Sequence, residues 1–185
     1  VIPTNFPLNQ REENNILLLT IDFSLKTTER RKSNGVLYKN IERMVSEMDL
    51  KAVCLKYENK VIELRREFHM HPELSFQEIR TAQRVREELD KAGIAWENVP
   101  DTHSVIGIGK GAHPGKTIAL RADMDALPMQ EESDPPYKSQ IEGVMHACGH
   151  DAHVAMLLGA AMTVNEANEE LAGAARFCFQ LSEEP

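Results

Sequence analysis

The sequence predicts a layered α/β fold, a sheet with flanking helices. Three observations point to it. Two stretches with helical spacing occupy residues 50–92, three short apolar runs of strand character follow at 105–109, 117–122 and 174–180, and an Ala-, Met- and Leu-rich helical stretch lies between the last two. Strands alternating with helices bury a sheet under its connecting helices.

Taken in order, residues 1–47 are polar and without clear periodicity, and Lys26 to Lys32 is a mainly charged run. They are expected to be an extension without catalytic duty, with Met48 near the natural start. Leu50, Val53, Cys54, Tyr57, Val61, Leu64 and Phe68 recur at spacings of three and four, one apolar helix face that Pro72 ends. Ser75 and Glu78 fit a capping box for a second helix. Its apolar face is Ile79, Ala82, Val85, Leu89 and Ala92, with Gly93 as its stop. Val105 to Gly109 reads as a strand and Gly111 to Gly115 as a turn. Thr117 to Ala122, apolar on both faces, reads as a central strand. Asp151 to about Asn165 reads as a buried helix and Ala174 to Gln180 as a further strand, with surface loops at 101–103 and 130–143.

The composition narrows the function. The chain has 185 residues, 42% of them hydrophobic, which suffices for one domain with a core. Its formal net charge of -8 argues against a nucleic-acid binder. Three cysteines, Cys54, Cys148 and Cys178, form no disulfide framework, so a reducing cytoplasm is the expected home. The aliphatic run from Ile16 to Ile21 is too short to span a membrane and lacks the basic leader of a signal peptide.

Three groups of residues carry chemistry. Cys148-Gly149-His150-Asp151 offers a thiolate, an imidazole and a carboxylate, which are the side chains that hold catalytic divalent metals. A turn can aim Cys148 and His150 at one point, with Asp151 near the helix start, where a carboxylate suits the dipole. Alone, the pair reads more simply as a buried cysteine beside a helix cap. Arg121, Asp123 and Asp125 share one face at the end of an apolar strand, where open α/β sheets bind ligands; a local Arg–Asp ion pair explains them equally well. Glu183 and Glu184 follow the last strand, and two adjacent acids can divide the work, one binding metal and the other moving a proton. Two exposed acids would be the simpler account of that pair in isolation. His69 and His71 resemble a metal pair, and His153, three residues after His150, suits an orienting or structural role. The combination at strand ends is what carries weight.

At these residues the chain, from about Tyr57 to Glu184, resembles the dinuclear-metal amidohydrolase and carboxypeptidase family. That family includes hippurate hydrolases, auxin-conjugate hydrolases and N-acetyldiaminopimelate deacetylases. The matching stretches are Arg65 to Leu74, Arg121 to Pro128, Met145 to His153 and Phe179 to Glu184. The resemblance implies a zinc-peptidase-like layered sheet that cleaves the amide of N-acyl amino acids. It implies Cys148, His150 and Glu184 as metal ligands, Glu183 as the general base that activates water, and Asp125 as the catalytic-site aspartate supporting the metals. Asp123 stands where wider relatives carry a ligand histidine. The cofactors implied are two divalent ions (manganese, zinc, cobalt or nickel), the substrate a small N-acyl amino acid, and the full-length assembly a homodimer.

Two departures accompany the resemblance. Leu181-Ser182 stands where the family has Pro-Ala. The family also uses two further ligand histidines, one soon after the glutamates and one near the far C-terminus, with a lid and dimerisation domain between them. None of these is in this sequence, whose residues 48–185 are read as the N-terminal part of the catalytic domain. The fold is therefore expected to be incomplete, and this chain alone poorly soluble and without turnover. The alternative is a non-catalytic remnant that binds only metal or a partner. A zinc nucleobase deaminase needs a Cys-x-x-Cys that this sequence lacks.

Overall fold

The computed structural model describes residues 50–184, and the 1–47 segment lies outside them. Helix α1 (Leu50–Met70) is followed by α2 (Ile79–Lys91), β1 (Ala95–Asn98), β2 (Val105–Lys110) and β3 (His113–Asp123). A loop then leads to α3 (His150–Glu166), a short 3-10 turn (Asn168–Glu170) and β4 (Ala172–Gln180). The four strands form one mixed sheet in the order β1-β2-β4-β3. β1 with β2 and β2 with β4 are antiparallel, and β3 with β4 is parallel. No described helix is long and apolar enough to cross a membrane.

Alternation along the strands decides which face is covered. In β4, Ala175, Phe177 and Phe179 are buried, and in β2 Val105, Gly107 and Gly109 face the same layer. The two glycines let the helices come close. A methyl group at Gly107 would touch Leu89 of α2 at 3.3 Å, and one at Gly109 would meet Val164 of α3 at 3.1 Å. α3 also lies tightly on α1, because a Cβ at Gly159 would stand 2.6 Å from Val61 Cγ2. Phe68, Leu64, Leu89, Val154 and Leu158 fill the space between, each fully buried. An ionic knot ties α1 to α2: Glu88 is 1% exposed and pairs with Arg84, Lys91 and Lys60.

The structure departs from the sequence reading at several places. β3 is an edge strand of the described sheet, with Thr117 to Ala119 exposed; its apolar residues had suggested a central strand. It also begins at His113, inside the stretch read as a turn. β1 escaped notice because Ala95-Trp96-Glu97-Asn98 has no apolar alternation and is largely exposed. Ser75 does not cap α2. Glu78 occupies the cap position, and the Glu73 carboxylate accepts the Arg80 and Thr81 amides at 2.9 and 2.7 Å. Ile79 is 61% exposed and does not belong to the buried face of α2, which Thr81, Ala82, Val85, Glu88 and Leu89 form instead.

Candidate metal centre

The site forms where three chain segments leave regular structure. α3 begins at His150, with Gly149 as N-cap at φ 88°, a left-handed conformation that glycine adopts without strain. Nothing lies within 4 Å of a Cβ placed on Gly149, so backbone conformation and not space selects glycine here. That turn swings Cys148 and His150 toward each other. β4 ends at Gln180, and the chain then bends through Ser182, a non-glycine residue at φ 52°, into Glu183 and Glu184. The result is that single ligand atoms of Cys148, His150 and Glu184 all lie within 4.8 Å of one another.

Asp125 ties these segments together. It lies two residues past the end of β3 and is 1% exposed. Its Oδ2 accepts hydrogen bonds from the Glu183 amide at 3.0 Å, the Glu184 amide at 2.8 Å and the Ser75 hydroxyl at 2.8 Å. Burial opposes the charge on Asp125, but the Glu184 amide, the Ser75 hydroxyl and the Glu183 amide outweigh it and hold its carboxyl below the usual carboxylate range. On the other side, His150 Nδ1 lies 2.9 Å from the Asp125 carbonyl and 3.2 Å from its Oδ1. A carbonyl oxygen only accepts, so these partners assign the proton to Nδ1 and leave Nε2 with a free lone pair. Arg121 and Asp123 pair with each other at 2.8 Å on the half-exposed edge, the local ion pair that the sequence equally allowed, and Asp125 alone of the three joins the site.

The donor set fits a divalent cation. Cys148 supplies sulfur, His150 an unprotonated ring nitrogen and Glu184 a carboxylate. Burial, then the Glu184 hydrogen bond and the charges of Glu184, Glu183 and Asp125, push the Cys148 thiol up. The same negative field favours a bound cation, which would reverse that shift. Glu183 is exposed, its amide fixed by Asp125 and its carboxylate free to reach solvent.

A second buried network stands behind the first. His69 is 4% exposed; its Nδ1 lies 2.7 Å from Asp151 Oδ2 and its Nε2 3.3 Å from Glu131 Oε1. Arg65 reaches the same Asp151 oxygen at 3.1 Å. Burial works to lower the His69 pKa, but the hydrogen bond and charge of Asp151 overcome it and the net shift is upward. His71 turns away and bonds the Glu67 carbonyl at 2.9 Å, so His69 and His71 do not form a metal pair. His153 is exposed, with its ring centroid 5.8 Å from that of His150.

Sequence reasoning missed three buried members of this neighbourhood. Glu131 sits in a polar stretch read as surface loop, yet it is 2% exposed, bonded to the Ser139 amide and the Ser133 hydroxyl at 2.7 Å each. His146 is 4% exposed with neither ring nitrogen hydrogen-bonded, and burial lowers its pKa to about 4. Glu78 is 0% exposed and accepts the Ser182 amide at 2.7 Å. The Ser75–Glu78 spacing gave a signal for Glu78 but read as a local cap, and His146 lay inside the family-like stretch Met145 to His153 with no role assigned.

Residues 119–185 match Peptidase family M20/M25/M40. The chain is 46% identical over 129 residues to N-acetylcysteine deacetylase of Bacillus subtilis, covering 69% of this chain and 34% of the relative. It is 47% identical over 136 residues to thermostable carboxypeptidase 1 of Saccharolobus solfataricus, covering 73% and 35%. An IAA-amino acid hydrolase of Arabidopsis thaliana is 49% identical over 125 residues, covering 67% and 28%. Among solved structures, the YXEP protein of Bacillus subtilis, described as a dinuclear metal binding peptidase from the M20 family, superposes with a TM-score of 0.65 at 45% identity, covering 72% of this chain and 36% of that one. The chain thus spans about a third of the length of the curated relatives it matches. Over the matched residues it belongs to peptidase family M20/M25/M40.

Proposed function

We propose, from that family membership, that this chain carries the metal-binding part of a hydrolase that cleaves the amide bond of N-acyl amino acids or short peptides. The observation that carries the reading is the convergence of Cys148, His150 and Glu184 to within 4.8 Å, on segments braced by Asp125. The relatives named for deacetylation, peptide cleavage and release of amino acids from IAA conjugates support the amide as the bond attacked.

In this reading Cys148, His150 and Glu184 hold a divalent cation, one of a pair. When bound, such a cation acts as a Lewis acid on a carbonyl and lowers the pKa of water. Glu183 takes the proton from the attacking water and delivers it to the leaving nitrogen, a task its exposed carboxylate suits. Asp125 keeps the Nδ1 proton of His150 in place, so that Nε2 faces the metal. A reducing compartment suits the Cys148 thiol, a free cysteine in the structure.

Two measurements test this. Titration of the chain with cobalt(II) is expected to give a thiolate-to-cobalt charge-transfer band that Cys148→Ser abolishes; no band in the unaltered chain would sink the metal centre. In the full-length gene product, Glu183→Gln is expected to keep bound metal and lose hydrolysis of N-acetyl amino acids by at least about a hundredfold. Wild-type turnover in that variant would remove Glu183 from its role.

A further inference from the structure

The turn from Ser182 to Glu184 is held by Asp125 and by two side chains that the proposed chemistry does not use, Ser75 and Glu78. Its four main-chain bonds go to three residues. The Ser182 amide donates to Glu78 Oε1 at 2.7 Å, and the Glu183 and Glu184 amides donate to Asp125 Oδ2 at 3.0 and 2.8 Å. The Glu184 carbonyl accepts from the Ser75 hydroxyl, which also reaches Asp125 Oδ2. Ser182 itself sits at φ 52°, a region disfavoured for any residue with a Cβ and kept only where the surroundings impose it. Glu78 bonds the residue in that conformation: a carboxylate with no exposed surface, placed at the N-cap of α2, accepts the Ser182 amide at its Oε1.

We propose that Ser75 and Glu78 are positioning residues for the two glutamates, a reading that rests on the metal centre proposed above. They act through the backbone. Glu78 fixes the reversal after β4, and Ser75 pins the carbonyl of Glu184, so that the Glu184 side chain meets Cys148 and His150 while Glu183 is left outside. The stretch from Ser75 to Glu78 therefore serves as a template for the catalytic turn, which explains why its serine is not spent on capping its own helix. Glu78 Oε2 is buried and has no hydrogen-bond partner, while the charges of Asp125 and Glu73 press on the same carboxylate. An amide nitrogen in that position would break no bond, so the role of Glu78 is that of a neutral-tolerant acceptor and not of a counter-charge.

Glu78→Gln, Glu78→Ala and Ser75→Ala separate these possibilities. Hydrogen exchange on the metal-free chain reads the turn directly. Glu78→Ala and Ser75→Ala are expected to speed exchange of the 182–184 amides roughly tenfold, and Glu78→Gln to leave it unchanged. With cobalt(II), the two alanine variants are expected to keep the thiolate charge-transfer band, lose about tenfold in affinity and shift the d–d bands as the Glu184 oxygen is lost; Glu78→Gln is expected to match the unaltered chain. Wild-type exchange and cobalt spectra in both alanine variants would overturn the proposal. So would a Glu78→Gln variant as impaired as Glu78→Ala. Should Glu78→Ala fail to fold, Ser75→Ala and Glu78→Gln still decide. If the unaltered chain gives no cobalt band, the metal reading falls, and exchange alone decides whether the turn is held as described.

Discussion

Replacing Asp125 with asparagine tests the brace of the site with a change of one atom. Asp125 Oδ2 must go on accepting the Glu183 and Glu184 amides, so the asparagine oxygen takes that position. Its NH2 then occupies the place of Oδ1, 3.2 Å from His150 Nδ1. Nδ1 carries a hydrogen because it also donates to the Asp125 carbonyl at 2.9 Å. Two donors now face each other. His150 either swings away or moves its proton to Nε2, the nitrogen meant for the metal, and both outcomes weaken binding. Disturbing the partner of a metal-binding histidine typically costs 10- to 100-fold in affinity, roughly 1.4 to 2.7 kcal/mol. Asp125→Ala goes further, stranding the Glu183 and Glu184 amides at about 1 kcal/mol each, roughly 2 kcal/mol of folding stability, while the Ser75 hydroxyl keeps the Glu184 carbonyl as acceptor. Competition with a chromophoric chelator reads the zinc affinity, and urea melts of the metal-free chain read stability. Asp125→Asn is expected to lower affinity with little loss of stability, and Asp125→Ala to lower both. Zinc affinity within twofold of the unaltered chain in Asp125→Asn would refute the tautomer argument.

Two other predictions address packing and charge. Gly159→Ala should destabilise the chain, because its Cβ would lie 2.6 Å from Val61 Cγ2 and overpacking costs about 1–3 kcal/mol, more than the ~1 kcal/mol gained in helix propensity. Adding Val61→Ala should relieve the clash, seen as favourable coupling in a double-mutant cycle by urea melts; simple additivity would mean that α1 and α3 do not approach this closely. In the metal-free chain, NMR titration should show His69 protonating above 6.5 and His146 staying neutral down to about 4. The signs differ. The raised His69 pKa supplies stability that is complete below the unfolded value of 6.5 and is lost as pH rises through the folded value. His146, lowered from 6.5 to about 4, removes about 3 kcal/mol as pH falls through that window, because the unfolded chain binds the proton first. A His146 that titrates at 6.5 would contradict its burial.

The helices and strands with strong periodicity were legible in the sequence because burial on one face writes itself into residue spacing. α1 shows this, with Val61, Leu64 and Phe68 buried where the pattern puts them, while α3 was legible as an Ala-, Met- and Leu-rich run because nearly all its faces are buried. β1 was not legible, because it pairs through its backbone with β2 and buries little of its own. The proximity of Cys148, His150 and Glu184 was readable as a set of donor types at strand and helix ends, but the means of holding them together was not. That means is long-range: Asp125 bonds residues 58 and 59 positions away, and Glu78 bonds one 104 positions away. A serine three residues before a glutamate ahead of a helix has a sufficient local explanation, so nothing in the sequence called for a distant one. Yet each local role went elsewhere. Glu73 took the α2 amides, Ser75 went to Asp125 and Glu184, and Glu78 went to Ser182. The exchange has a physical reason. A helix end at the surface can be served by any nearby carboxylate. A bend that must deliver two acidic side chains to opposite sides of one backbone, against the preference of Ser182 for negative φ, needs acceptors and donors fixed on elements that do not move with it.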